Sequence, residues 1–392
     1  MPSSFVRRAF LVGALALAAA APALRLARSS GDEGAPPQAA PFDPSAVAPF
    51  MASYADLLHA AYADCTALAE RLRDEADRFV DRPSADGLDA CKAAWLRARP
   101  FYVQTEIARF AEGPVESRER FMNAWPLDEA YLDGLIADPA AGLDGPALRE
   151  ANERGGETHV CTGWHAIEYL LWGRDVELGP GGGRRSHLEF AATPRLGQAL
   201  RACAAMLVDD LAWLRDQWAP GGRNYRSWFL GTVTPANLAK ILTGVGTLVF
   251  GELRGERLVV AYLLKDRENE HSCFSDTTHV DHLNDLVGVR NVWEGRYRSS
   301  DGRRDYAGPG LRDLARRVDP ARADEVGRRL DAALEALADP ALAPFETAIL
   351  GDDSAPGRRA IQRALDGLAD FNRAFCLLSA RFGTPIGTTL VR

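Results

Sequence analysis

The residues whose types and spacing best suit chemistry lie in Gly163-Trp164-His165-Ala166-Ile167-Glu168-Tyr169-Leu170-Leu171-Trp172-Gly173. Side chains three apart on a helix are neighbours. His165 and Glu168 can therefore offer an imidazole nitrogen and a carboxylate oxygen to one ion or one proton. Gly163 permits a close approach at the helix start. Leu170, Leu171 and Trp172 read as core, and Gly173 as a C-terminal stop. The spacing alone says little, because His282 and Asp285 repeat it among only seven histidines. The apolar surroundings say more, since a buried ionisable pair needs a partner. The plainer alternative is a His–Glu hydrogen bond inside a helical core.

Three other stretches carry candidate groups. Leu88, Cys91, Trp95, Tyr102, Glu106 and Arg109 share one helical stripe, which points the Glu106 carboxylate inward, as a metal ligand or as a partner of Arg99 or Arg109. Trp125-Pro126 breaks the chain before Asp128 and Glu129, and carboxylates at a helix start are usually caps. The richest polar cluster runs from Glu268 to His282 and holds Ser275, Asp276 and His279. Cys161 and Cys273 each follow a His-x-Cys pattern beside these groups, either as a bridge between the halves or as two free thiols. Glu252 and Glu256, with Arg254 and Arg257, read as a surface salt-bridge lattice.

The elements that must position these groups are helical. From Phe50 to Phe79, apolar residues recur at 50, 51, 54, 57, 58, 61, 62, 65, 68, 72, 76 and 79, which is helical periodicity. Ser84 can cap a second helix reaching about residue 111, kinked at Pro100. Thr234-Pro235 starts a long helix to about 264, whose glycines at 244, 246, 251 and 255 imply close packing or approach of a ligand. The stretch 179–185 reads as a surface loop. It lacks the Lys-Ser/Thr ending of a phosphate loop.

The chain has 392 residues, 46 basic and 54 acidic. Arg7-Arg8 and the apolar run from Ala9 to Leu24 read as a twin-arginine export signal over residues 1–28, too short for a membrane span. Residues 29–46 read as a linker. The expected domains are two all-α helical bundles, 47–220 and 221–392, with a weak internal echo suggesting duplication. Removing the basic leader leaves a more acidic chain, which disfavours nucleic acid and anionic lipid. No stable membrane span is expected in the mature form.

These stretches together resemble the imelysin family, in the branch called iron-regulated protein A. The resemblance covers about residues 48–385. It rests on Trp95–Phe110, on Asn123-Ala124-Trp125-Pro126-Leu127-Asp128-Glu129, on Gly163-x-His165-x-x-Glu168, and on Glu270–His279 followed by Asn291-Val292-Trp293-Glu294-Gly295-Arg296-Tyr297. It implies two helical bundles related by duplication with a site in the cleft between them, and it places the family's Gly-x-His-x-x-Glu on Gly163, His165 and Glu168. It leaves two activities open, an insulin-cleaving metallopeptidase and a part in iron uptake.

The residues favour binding. Helical zinc peptidases place two histidines four apart or use His-x-x-Glu-His, and position 169 here is Tyr. One imidazole with oxygen ligands suits iron or another hard or borderline ion better than zinc. The expectation is an exported, periplasmic protein that takes iron, as the ion or a chelate, and passes it to an envelope partner. His165, Glu168 and Glu106 are the expected ligands; Gly163, Trp125, Ser275, Asp276 and His279 line the cleft. The alternative is a zinc peptidase.

Overall fold

A computed structural model describes residues 38–155, 159–175 and 181–386. The export signal and residues 29–37 of the linker lie outside these. Sixteen α-helices follow one another in the described chain. They are α1 (Pro44–Asp81), α2 (Ala85–Val103), α3 (Glu119–Met122), α4 (Glu129–Ala137), α5 (Gly145–Gly155), α6 (Trp164–Trp172), α7 (His187–Ala192) and α8 (Pro194–Trp218). Then come α9 (Tyr225–Gly231), α10 (Pro235–Gly246), α11 (Val260–Leu264), α12 (Thr278–Glu294), α13 (Leu311–Val318), α14 (Pro320–Leu337), α15 (Phe345–Ala348) and α16 (Pro356–Arg381). The only strands among the described residues are Arg296–Tyr297 and Tyr306–Ala307, paired antiparallel with Tyr297 opposite Tyr306.

Helix α1 begins where Asp43 caps the chain at Ser45, so residues 44–46 belong to the helix rather than to the linker. Every position of its predicted apolar stripe is buried. The stripe packs along α2 and α8, while α14 and α16 pair further on. Ser84 caps α2 through the Gly87 N–H at 3.1 Å, as the sequence implies. Pro100 is accommodated within α2, which tightens into a 3₁₀ turn over Gln104–Ala108 and stops short of residue 111.

The long helix after Thr234 is not a uniform α-helix. Between α10 and α11, Thr247–Val259 winds as a π-helix, which widens the turn and shifts the faces of Glu252 and Arg257. Two of its neighbouring glycines do serve close packing: a Cβ on Gly244 would meet the Phe110–Ala111 backbone at 3.3 Å, and one on Gly246 would meet Ile386 at 2.9 Å.

Helix α12 crosses α2 and the 3₁₀ turn, while α6 lies against α2 and α8. A Cβ on Gly288 of α12 would sit 2.3 Å from the Gln104 carbonyl oxygen, so glycine is what lets the two backbones touch. From Gln38 onward the chain is one compact unit, and residues from both sides of position 220 share one core. The boundary expected there thus falls inside a continuous body. Close helix contacts and a buried ion-pair network cross it.

Candidate functional site

Gly163 holds φ at +92°, and a Cβ there would lie 2.4 Å from the Met122 carbonyl oxygen. A side chain at this position would push the start of α6 off the preceding segment. Gly173 at the other end also has positive φ, +75°, and its N–H returns to the Tyr169 carbonyl. Between these two glycines the whole of α6 is buried.

His165 and Glu168 meet on that helix, Nδ1 to Oε2, at 3.0 Å. The second carboxylate oxygen accepts from Ser275, from the N–H at 2.9 Å and the hydroxyl at 2.7 Å. On the other edge of the imidazole, Arg99 Nη2 lies 3.3 Å from Nε2. A guanidinium can only donate, so Nε2 presents its lone pair to Arg99 and Nδ1–H donates to Glu168. Burial, then the Arg99 charge, holds the His165 pKa well below the usual histidine range. Burial pushes Glu168 up to about 8, against the pull of the Ser275 bonds and Arg99.

Arg99 is the hub. It is buried on α2, with Nη2 at 2.9 Å and Nε at 3.1 Å from Asp281 Oδ2 and Nη1 at 2.6 Å from Asn123 Oδ1. His271 Nδ1 and the Ser272 hydroxyl donate to the same Asp281 oxygen at 2.9 and 2.8 Å. Burial works against the Asp281 carboxylate, but Arg99 and these bonds keep its pKa below the ordinary value. The His165 and His271 rings lie edge to face at 4.8 Å. Trp125 stands against His271 at 5.5 Å and donates its indole N–H to the Glu270 carbonyl at 2.8 Å.

Glu106 is buried as expected, but both its oxygens are engaged elsewhere. One accepts from Asn123 at 3.2 Å, the other from Arg257 at 2.5 Å. Arg257 also holds Asp285 at 2.7 Å and Glu252 at 3.0 Å, so Arg257 is interior, while Glu252 and Arg254 are half-buried and Glu256 is exposed. Glu106 joins the His165 pair only through Asn123 and Arg99. Asp128 is a cap, accepting from the Tyr131 N–H at 2.9 Å. His279 is half-buried on α12 with Nδ1 free of hydrogen bonds, and no hydrogen bond or ring contact joins it to His165 or Glu168.

Asp276 sits next to Ser275, with φ +57°. Its Oδ2 accepts from the Gly182 N–H at 2.7 Å, and the Gly183 N–H reaches the Phe274 carbonyl at 2.9 Å. The described part of the glycine-rich loop is therefore packed against the polar cluster, not a surface excursion. A Cβ on Gly182 would fall 2.0 Å from the Phe274 oxygen. Cys161 and Cys273 are free thiols. Cys161 Sγ is turned to Asn152 Oδ1 at 3.1 Å.

Sequence reasoning missed the hub. Arg99, His271 and Asp281 surround His165, and Arg257 and Asp285 extend the buried polar network through Glu106. Arg99 falls in step with the stripe through Trp95 and Glu106, so its inward direction was available.

The chain belongs to the imelysin family, whose model matches residues 58–374. Iron-regulated protein A of Synechococcus elongatus is 26% identical over 283 residues, which is 70% of this chain and 70% of that protein. The fold is shared with the crystal structure of a protein assigned as an iron-regulated protein A precursor, from Parabacteroides distasonis. That match has a TM-score of 0.69 at 18% identity and covers 90% of this chain and 98% of that one. An imelysin-like protein from Psychrobacter arcticum gives a TM-score of 0.66 at 16% identity, covering 89% and 99%.

Proposed function

We propose that this chain is an exported iron-binding protein of the imelysin family, with His165 Nε2 as the imidazole ligand and Glu168 orienting the ring through Nδ1. The carrying observation is the orientation of His165. Burial keeps the imidazole neutral, the state that binds metals, and its Nε2 lone pair faces a positive charge, Arg99 Nη2, at 3.3 Å. A cation arriving at Nε2 replaces one positive charge by another. Asp281 and Asn123, which bond Arg99, would remain its partners as it withdraws from Nε2. A neutral imidazole completed by oxygen ligands suits iron. The names of the Synechococcus and Parabacteroides relatives support iron as the cargo, and the word precursor in the latter supports export.

The zinc peptidase reading finds less support. A zinc peptidase needs a carboxylate available as a general base, and both Glu106 oxygens are engaged, by Asn123 and by Arg257. No single helix among the described residues is long and apolar enough to cross a membrane. Among them only α9 and Pro235–Leu264 together reach such a length and apolarity, and they are bent by 119°. Protein purified from its native cell envelope should carry iron and leave a peptide library intact. Chelator-sensitive peptide cleavage restored by zinc would overturn this reading.

A further inference from the structure

Beside the His165 pair lies a second group of oxygens with its own chemistry. Asp175 follows α6, Asp276 belongs to the loop before α12, and Glu346 is on α15. One carboxylate oxygen from each lies within 4.8 Å of the others. Oxygens in one Ca²⁺ shell, each at 2.3–2.6 Å from the ion, are at most about 5 Å apart, so the three can share such an ion.

Proximity of acids alone would not make a site. Two buried groups point further. Asp276, 5% exposed, spends Oδ2 on Gly182 and leaves Oδ1 buried without a hydrogen bond. Glu270, 1% exposed, leaves both carboxylate oxygens without one. The charges of Glu346 and Asp276 act on it, with the Thr278 hydroxyl nearby as a weak counterweight. A buried carboxylate with nothing to accept from is costly. Among the described residues the cation that pairs with these acids is Arg267, with Asp175 and, at 2.9 Å, with Glu346. One guanidinium thus serves a neighbourhood of four carboxyls. It leaves two of them unserved.

We propose that Asp175, Asp276 and Glu346, with Glu270 as a fourth donor, bind a hard divalent cation of the Ca²⁺ type, and that Arg267 fills the place when the cation is absent. The all-oxygen donor set selects hard ions over zinc or copper. Three separate segments would be fastened together by the ion: the segment after α6, the Phe274–Asp276 loop and α15. The loop includes Ser275, so the cation would also fix the residue that closes on Glu168. This site stands independently of iron binding at His165.

The test is calorimetric titration of the full chain with Ca²⁺, with Mn²⁺ followed by electron paramagnetic resonance as a second probe. One site is expected, with a dissociation constant below about 1 mM, the weak end of the range for such sites outside the cell. Asp276→Asn and Glu346→Gln should each weaken it at least about tenfold, or about 1.4 kcal/mol. Arg267→Gln should tighten it by removing the internal competitor, a gain that no misfolded variant can mimic. His165→Ala should leave it unchanged. Absence of Ca²⁺ and Mn²⁺ binding in the wild type would overturn the proposal. So would weakening in Arg267→Gln, or loss in His165→Ala with retention in Asp276→Asn. Iron binding lost in His165→Ala while Ca²⁺ binding persists would support both sites separately.

Discussion

Ser275 closes on Glu168 with two hydrogen bonds, although 107 residues separate them. Its N–H and hydroxyl take one oxygen of the carboxylate while His165 takes the other. The pair on α6 is therefore completed by the loop before α12, and neither half of the chain builds the site alone.

Ser275→Ala removes the hydroxyl donor and keeps the backbone one. The buried carboxylate loses part of its satisfaction, and the variant should be less stable by about 1–3 kcal/mol. Urea denaturation monitored by tryptophan fluorescence gives the number. A variant as stable as the wild type would show that the hydroxyl bond contributes nothing to holding the loop.

Arg99 and Asp281 are both buried and paired at 2.9 Å. Arg99→Met should destabilise by about 3–5 kcal/mol, because it strands a buried carboxylate. The double variant Arg99→Met with Asp281→Leu should recover much of that loss. Denaturation of the four proteins forms a double-mutant cycle, and simple additivity of the two single losses would contradict a coupled pair.

His282 is fully buried against the Phe345 ring at 4.8 Å. Burial, then Arg257, pushes its pKa down to about 3. The unfolded residue titrates near 6.5. Unfolding therefore takes up a proton at His282 between these values. Its contribution to stability is complete above about pH 6.5 and is lost as the pH falls toward 3. His282→Asn should flatten the fall in stability between about pH 6 and about pH 4, by up to about 1.4 kcal/mol per pH unit. An unchanged slope would show that His282 is not held neutral in the folded chain.

Much of this was legible in the sequence because it depends on local rules. The α1 stripe, the Ser84 and Asp128 caps and the two glycines bounding α6 follow from periodicity and backbone sterics within a few residues. Glu106 and Ser275 were also marked, as inward or cluster residues. Their partners were not, because pairings such as Arg257 with Glu106 or Arg99 with Asp281 depend on which helices cross. The glycine-rich loop misled for a related reason: its backbone N–H groups satisfy the Phe274–Asp276 segment, a contact invisible to composition. The π-turns of Thr247–Val259 turned Arg257 inward where α-helical spacing implied a surface lattice.

The central claim, that iron binds at His165 with Glu168 holding the ring, is tested most directly by anaerobic Fe²⁺ titration with thermal melts on the wild type, His165→Ala and Glu168→Gln. The wild type should gain about 2.7 kcal/mol of stability when iron exceeds its dissociation constant a hundredfold. Both variants should fold, bind at least about tenfold more weakly, and show little of that gain. Equal iron-induced shifts in all three proteins, or none in the wild type, would contradict the account and leave the pair as a buried structural hydrogen bond.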